Sequence, residues 1–122
     1  MVHGSDGLDE LTTTGPSAAA LVDEGVLRSF VVEPGALGLE RAEPAQLAGG
    51  DVHENAAILR EVLAGKVGPR RDIVLLNAAG ALFAAGAARS LEEGLTLARE
   101  SIDTGAARER LDALVRATNE AG

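Results

Sequence analysis

Three carboxylates fall within five positions near the start of the chain, Asp6, Asp9 and Glu10, in the octet His3-Gly4-Ser5-Asp6-Gly7-Leu8-Asp9-Glu10. The glycines beside them let the backbone bend where a residue with a side chain would resist. Hard cations take oxygen ligands, and Mg²⁺ usually accepts only one or two protein carboxylates while keeping water and substrate phosphates in its other positions. Asp9 and Glu10 match that demand. In a regular strand neighbours point to opposite faces, so both can face one ion only where the chain turns, as Gly7 permits. By themselves these residues fit two bland readings equally well, solvated surface charge or a helix cap. His3 reads as a loop histidine with local hydrogen bonds, because no second histidine stands at ligand spacing; His53 is fifty positions away. Neither Ser5 nor Ser17 has a paired base, and there is no cysteine to act as nucleophile, thiolate ligand or disulfide partner.

The elements that must hold this loop follow in order. Met1 and Val2 read as the tail of a buried parallel strand that delivers the octet at its carboxyl end, with the chain cut from a longer one. Ala18–Val22 and Val26–Val32 flank Asp23-Glu24-Gly25 and predict an antiparallel hairpin, with Arg28 facing water. Residues 35–50 hold Pro44 and four glycines and read as connection with one helical turn near Pro44–Leu47. Asp51 and Glu54 have capping-box spacing, and Val52, Ala56, Leu59 and Leu63 recur on one helical face that Gly65 ends. That helix start, next to Gly49-Gly50, also has the form of an anion site, although a capped helix start is ordinary architecture.

Pro69 opens a helix that is apolar on nearly all sides from Ile73 to Ala85, with Asn77 and Gly80 as interruptions. It is too short for the roughly 20 residues that span a bilayer. Asn77 reads as a core amide satisfied by nearby backbone, or as support for a site. Ser90 and Glu93 predict a further capping box, with Leu91, Leu95, Ala98 and Ile102 as its stripe. A last helix over about Ala106–Thr118, capped by Asp103 or Thr104, would bury Leu111, Leu114 and Val115, and the Glu-Ala-Gly tail would fray.

Composition narrows the classes. A chain of 122 residues, 46% apolar but with only Phe30 and Phe83 aromatic, predicts one domain with an aliphatic, alanine-rich core. Nineteen acids against eleven bases give a net charge of −8, which disfavours nucleic acid and anionic membranes. No basic and apolar leader precedes the octet, which fits a cytoplasmic protein.

The string His3-Gly4-x-Asp6-Gly7-Leu8-Asp9-Glu10, continuing Leu11-Thr12-Thr13-Thr14-Gly15-Pro16, resembles the segment that opens the C-terminal third of anthranilate phosphoribosyltransferases, tryptophan-pathway members of the nucleoside-phosphorylase-like glycosyltransferases. Pro34–Leu39, Leu47–Ile58, Asp72–Leu82 and Ser90–Gly105 look like that family in the same order. The resemblance implies an α/β fold, a partial phosphoribosyltransferase catalytic domain with a short strand and a β-hairpin followed by about four helices. It implies transfer of the phosphoribosyl group of phosphoribosyl pyrophosphate to anthranilate with loss of pyrophosphate, and Mg²⁺ held by Asp9 and Glu10. It implies a homodimer built through helices nearer the N-terminus. The family's glycine-rich diphosphate loop and most anthranilate contacts precede this third, so this chain alone is expected to be inactive. A relative with another acceptor, such as a nucleoside phosphorylase, and a non-catalytic helical module are the competing expectations.

Overall fold

The computed structural model describes residues 1–120. Three strands, β1 (Val2–Gly4), β2 (Ser17–Asp23) and β3 (Val26–Val32), form one sheet in the order β1-β2-β3. A 3₁₀ turn at Pro34–Leu37 and a one-turn helix α1 (Pro44–Leu47) lead to four longer helices: α2 (Val52–Leu63), α3 (Pro69–Ala84), α4 (Leu91–Asp103) and α5 (Ala106–Glu120).

The hairpin forms as its sequence predicts. Asp23 pairs with Val26 across the two-residue loop Glu24-Gly25, and both loop residues have positive φ, 48° and 79°. That is the primed turn whose twist matches the flanking strands, and glycine at its second position is the reason it forms here. The expectation for β1 is corrected. It runs antiparallel to β2, with Val2 opposite Ala19 and Gly4 opposite Ser17, and Met1 lies exposed. Two apolar residues before a glycine cannot distinguish a parallel from an antiparallel partner; the polar-free run Ala18–Ala20 offers the edge that β1 takes. In β3 only Val32 is buried, and Val26, Leu27, Phe30 and Val31 are exposed beside Arg28.

The core sits between the sheet and the helices. Leu75, Leu76 and Ala79 of α3 meet Leu95, Ala98 and Ile102 of α4, with Leu11, Val32, Leu39 and Val62 closing the cluster. The helices approach closely because Gly94 faces Ala79: a Cβ at position 94 would stand 2.9 Å from the Ala79 Cα. Small residues thus let α3 and α4 meet backbone to backbone, as the alanine-rich composition predicts.

Local capping follows sequence at α2, where Asp51 accepts from the Glu54 amide and Glu54 accepts from the Asp51 amide. At α4 only half of the expected box forms. Ser90 accepts from the Glu93 amide at 3.3 Å, while the Glu93 carboxylate takes the Arg89 amide instead. Neither residue expected to cap α5 does so: Asp103 pairs with Arg71 at 2.6 Å and the Thr104 hydroxyl donates back to the Glu100 carbonyl.

Two stripes are also corrected. In α2 the buried residue is Val62, whereas Val52 and Leu59 are exposed; in α5 Leu114 and Val115 are exposed and Leu111 is half-buried. The predicted side of α2 lines an open groove between α2 and α5, and the side that enters the core is the one carrying Val62, so periodicity located an apolar stripe but not the buried face. The helix α5 extends to Glu120, and the remainder of the tail expected to fray lies outside the described residues. No helix among the described residues is long and apolar enough to cross a membrane.

Candidate functional site

The octet folds into a knotted loop between β1 and β2. The Gly4 amide donates to the Leu8 carbonyl at 2.8 Å, the Gly7 amide to the Gly4 carbonyl at 3.0 Å, and Gly7 has φ 94°, the bend its side-chain-free backbone permits. The three carboxylates then separate in role. Asp6 Oδ2 accepts the hydroxyls of Thr12 and Thr14, each at 2.6 Å, and Oδ1 accepts the Leu8 amide at 3.1 Å. Thr12 and Thr14 reach the same carboxylate because the chain bends over Thr13–Gly15. Their hydroxyls are 3.1 Å apart, and the Thr14 amide donates to Thr12 Oγ1. Charge-assisted bonds of this kind are shorter and stronger than neutral ones.

Asp9 and Glu10 are different. Both are exposed, both sit in bends outside any strand or helix, and among the described residues neither carboxylate is committed to a hydrogen bond or ion pair. The residue after them is fixed. Leu11 is buried, its amide donates to Asn77 Oδ1 at 2.9 Å, and its carbonyl accepts from Asn77 Nδ2 at 2.8 Å. Two free acids therefore stand between two anchored points, Leu8 and Leu11. His3 and His53 are exposed and take no part in this arrangement. The start of α2 is spent on its own cap, with the Gly50 amide and carbonyl both bonded to the Asn55 side chain, so the sequence-level anion reading loses these groups.

No group of three or more histidine, cysteine or acidic residues among the described residues is arranged to hold an ion. The donor set that remains, two hard oxygen-bearing side chains, suits a cation that brings its own water and phosphate ligands and does not suit a closed protein cage. Mg²⁺ fits those residues.

The hydroxyl bonds from Thr12, then Thr14, hold the Asp6 carboxyl below its ordinary value of 3.8. A depressed folded-state value means that the ionised acid favours the fold above 3.8 and that this contribution disappears as pH falls through the folded value. Asp6→Asn removes it. The denaturation midpoint of Asp6→Asn should lie below that of the unmodified chain at neutral pH, with the gap closing as pH falls through the lowered folded-state value. A gap that stayed constant from neutral pH to acid would remove Asp6 from the knot's energetics.

Sequence reasoning put forward Asp9 and Glu10 as candidates and read Asn77 as an amide satisfied by backbone, but it did not anticipate Leu11 as the partner of Asn77, or Thr12 and Thr14 as partners of Asp6. A Thr-x-Thr pair behind an aspartate is a usable signal for Thr12 and Thr14; Asn77, 66 positions from Leu11, leaves no local one.

Comparison with known proteins places this geometry. The sequence pattern described as "Glycosyl transferase family, a/b domain" matches residues 1–108. The chain belongs to that family. Among glycosyl transferase relatives, the anthranilate phosphoribosyltransferase of Moorella thermoacetica is 56% identical over 115 residues, covering 94% of this chain and 34% of the relative. The anthranilate phosphoribosyltransferase of Saccharomyces cerevisiae in complex with 4-fluoroanthranilate superimposes with a TM-score of 0.87 at 33% identity, over 98% of this chain and 35% of the other. The same yeast enzyme in complex with PRPP and Mg gives 0.81 at 35% identity, over 91% of this chain and 32% of the other. The chain thus spans about a third of the length of the relatives it matches. The α/β class, the hairpin and the four longer helices expected from sequence agree with this family assignment.

Proposed function

We propose that this chain is the C-terminal portion of an anthranilate phosphoribosyltransferase, and that Asp9 and Glu10 supply its protein ligands to Mg²⁺. The whole enzyme would join the anthranilate amine to the anomeric carbon of phosphoribosyl pyrophosphate and expel pyrophosphate, a cytoplasmic step toward tryptophan. The observation that carries the reading is the pair of uncommitted carboxylates between anchored residues, in a chain 56% identical to a relative of that name. Magnesium, when bound, acts as a Lewis acid and template for the departing diphosphate. Asp9 and Glu10 are exposed, so their hard oxygens are open to an ion that brings a diphosphate with it. Asp6 is tied instead to Thr12, Thr14 and the Leu8 amide, with three of its four acceptor sites taken by protein donors. Its work is to keep the loop closed.

The chain by itself supplies one side of such a site, so the purified 122-residue protein should show no turnover of phosphoribosyl pyrophosphate and anthranilate. Mixing it with a separately expressed N-terminal two thirds of the Moorella thermoacetica relative should restore pyrophosphate release. Turnover by the chain alone defeats the division of labour. Stable complex formation without turnover favours an interaction module, and phosphorolysis of a nucleoside favours a relative with another acceptor.

A further inference from the structure

We propose that Asn77 is a positioning residue for the acidic pair: by fixing Leu11 it sets where the Asp9 and Glu10 carboxylates stand and hence how tightly a divalent cation is held. This rests on the metal reading above. A single side-chain amide satisfies both backbone groups of Leu11, accepting from its N–H at 2.9 Å and donating to its carbonyl at 2.8 Å, which is the pairing a neighbouring strand would otherwise supply. The second Nδ2 proton goes to the Ile73 carbonyl at 3.0 Å, within α3 itself, so the amide's orientation is fixed from its own helix. One turn along, Gly80 receives the Leu11 side chain: a Cβ there would stand 2.9 Å from Leu11 Cδ1. Backbone and side chain of Leu11 are thus seated on one strip of α3.

On the other side, the Leu8 amide and carbonyl are bonded to Asp6 and Gly4. Two residues remain between these anchors. Consecutive Cα atoms are about 3.8 Å apart, so neither Asp9 nor Glu10 can move far while Leu8 and Leu11 stay in place. Adjacent carboxylates repel each other, and an ion that uses both must overcome that repulsion and order the loop. Anchoring the loop in advance lowers the ordering cost. Asn77 is half-buried, and an apolar residue at this position would leave both backbone groups of Leu11 without these partners, so a purely packing role does not account for asparagine.

The test uses the ¹⁵N-labelled chain with Mn²⁺ as the probe, reading paramagnetic broadening and backbone order at Asp9 and Glu10. Asn77→Ala should lower the order of both residues and weaken Mn²⁺ binding by about tenfold, the usual scale for losing a group that orients ligands. Val62→Ala, a buried truncation on α2 beside Pro69–Arg71 at the start of α3, should lower stability and leave both readouts in place. Gly80→Ala presses on Leu11 with the amide intact and should move the same two signals, which keeps the test decisive if Asn77→Ala does not fold. Unchanged order and Mn²⁺ affinity in Asn77→Ala, or no broadening at either residue in any variant, overturns the proposal. If Asp9→Asn/Glu10→Gln binds Mn²⁺ like the unmodified chain, the metal reading fails on its own, whatever Asn77 does to loop order.

Discussion

Asp9→Asn combined with Glu10→Gln should lower turnover of the assembled enzyme by about 100-fold or more, with the loss greatest at low Mg²⁺. The size follows from what the two side chains are asked to do. Charge building on the departing diphosphate is the difficulty in the reaction, and removing a single preorganised stabilising group from such a site costs about 10²–10³ in rate. Neutral amides of the same shape keep the loop's volume and remove its two negative charges. They should leave the fold alone, because the replaced carboxylates are exposed and make no hydrogen bond or ion pair among the described residues. Substitutions of that kind shift stability by no more than about 0.5 kcal/mol. Steady-state rates across a Mg²⁺ titration, with the denaturation midpoint as control, give the answer. Unmodified rates at every Mg²⁺ concentration would remove both residues from the chemistry.

Leu76→Ala should destabilise the chain by about 3–4 kcal/mol, the largest stability loss expected for any single truncation here. Leu76 is 0% exposed, at the centre of the α3–α4 contact with Leu95, Ala98 and Ile102 around it. The close backbone approach at Gly94 and Ala79 leaves the helices little freedom to collapse into the space. The cavity therefore persists, and its cost adds to the lost transfer energy of the side chain. A domain of this kind has only about 5–15 kcal/mol in total, so the variant should lose a large share of its stability. Val74→Ala, on the same helix but 42% exposed, should cost less than about 1 kcal/mol. Urea midpoints of the two variants test the contrast, and equal losses would mean that α3 is not seated as described.

The same helix connects these two predictions. Buried leucines hold α3 against α4, and Asn77 on that helix reaches the residue next to the acidic pair. A truncation that loosens α3 should therefore weaken metal binding as well, whereas neutralising the acids should not loosen α3.

Several elements were legible before any coordinate. Pro44 and Pro69 open α1 and α3, Asp51 and Glu54 close a reciprocal box, and Glu24-Gly25 makes the hairpin turn, because each is fixed by residues two to four positions apart. The metal-ligand candidates and the need for a bend at Gly7 were legible for the same reason. Burial was not: the α2 and α5 stripes show which side of each helix is apolar, but coverage depends on what packs there.

The sequence by itself determined the helices, the hairpin, the family and the candidate acids, since periodicity, caps and contiguous motifs act over short stretches of chain. Only the tertiary structure decided the antiparallel pairing of β1, the capture of Asp6 by Thr12 and Thr14, the diversion of Asp103 to Arg71 and the grip of Asn77 on Leu11. A hydrogen bond from a side chain to a group brought near only by folding has no spacing to announce it. That is why the division between a structural Asp6 and a free Asp9-Glu10 pair emerges only when the chain is seen folded.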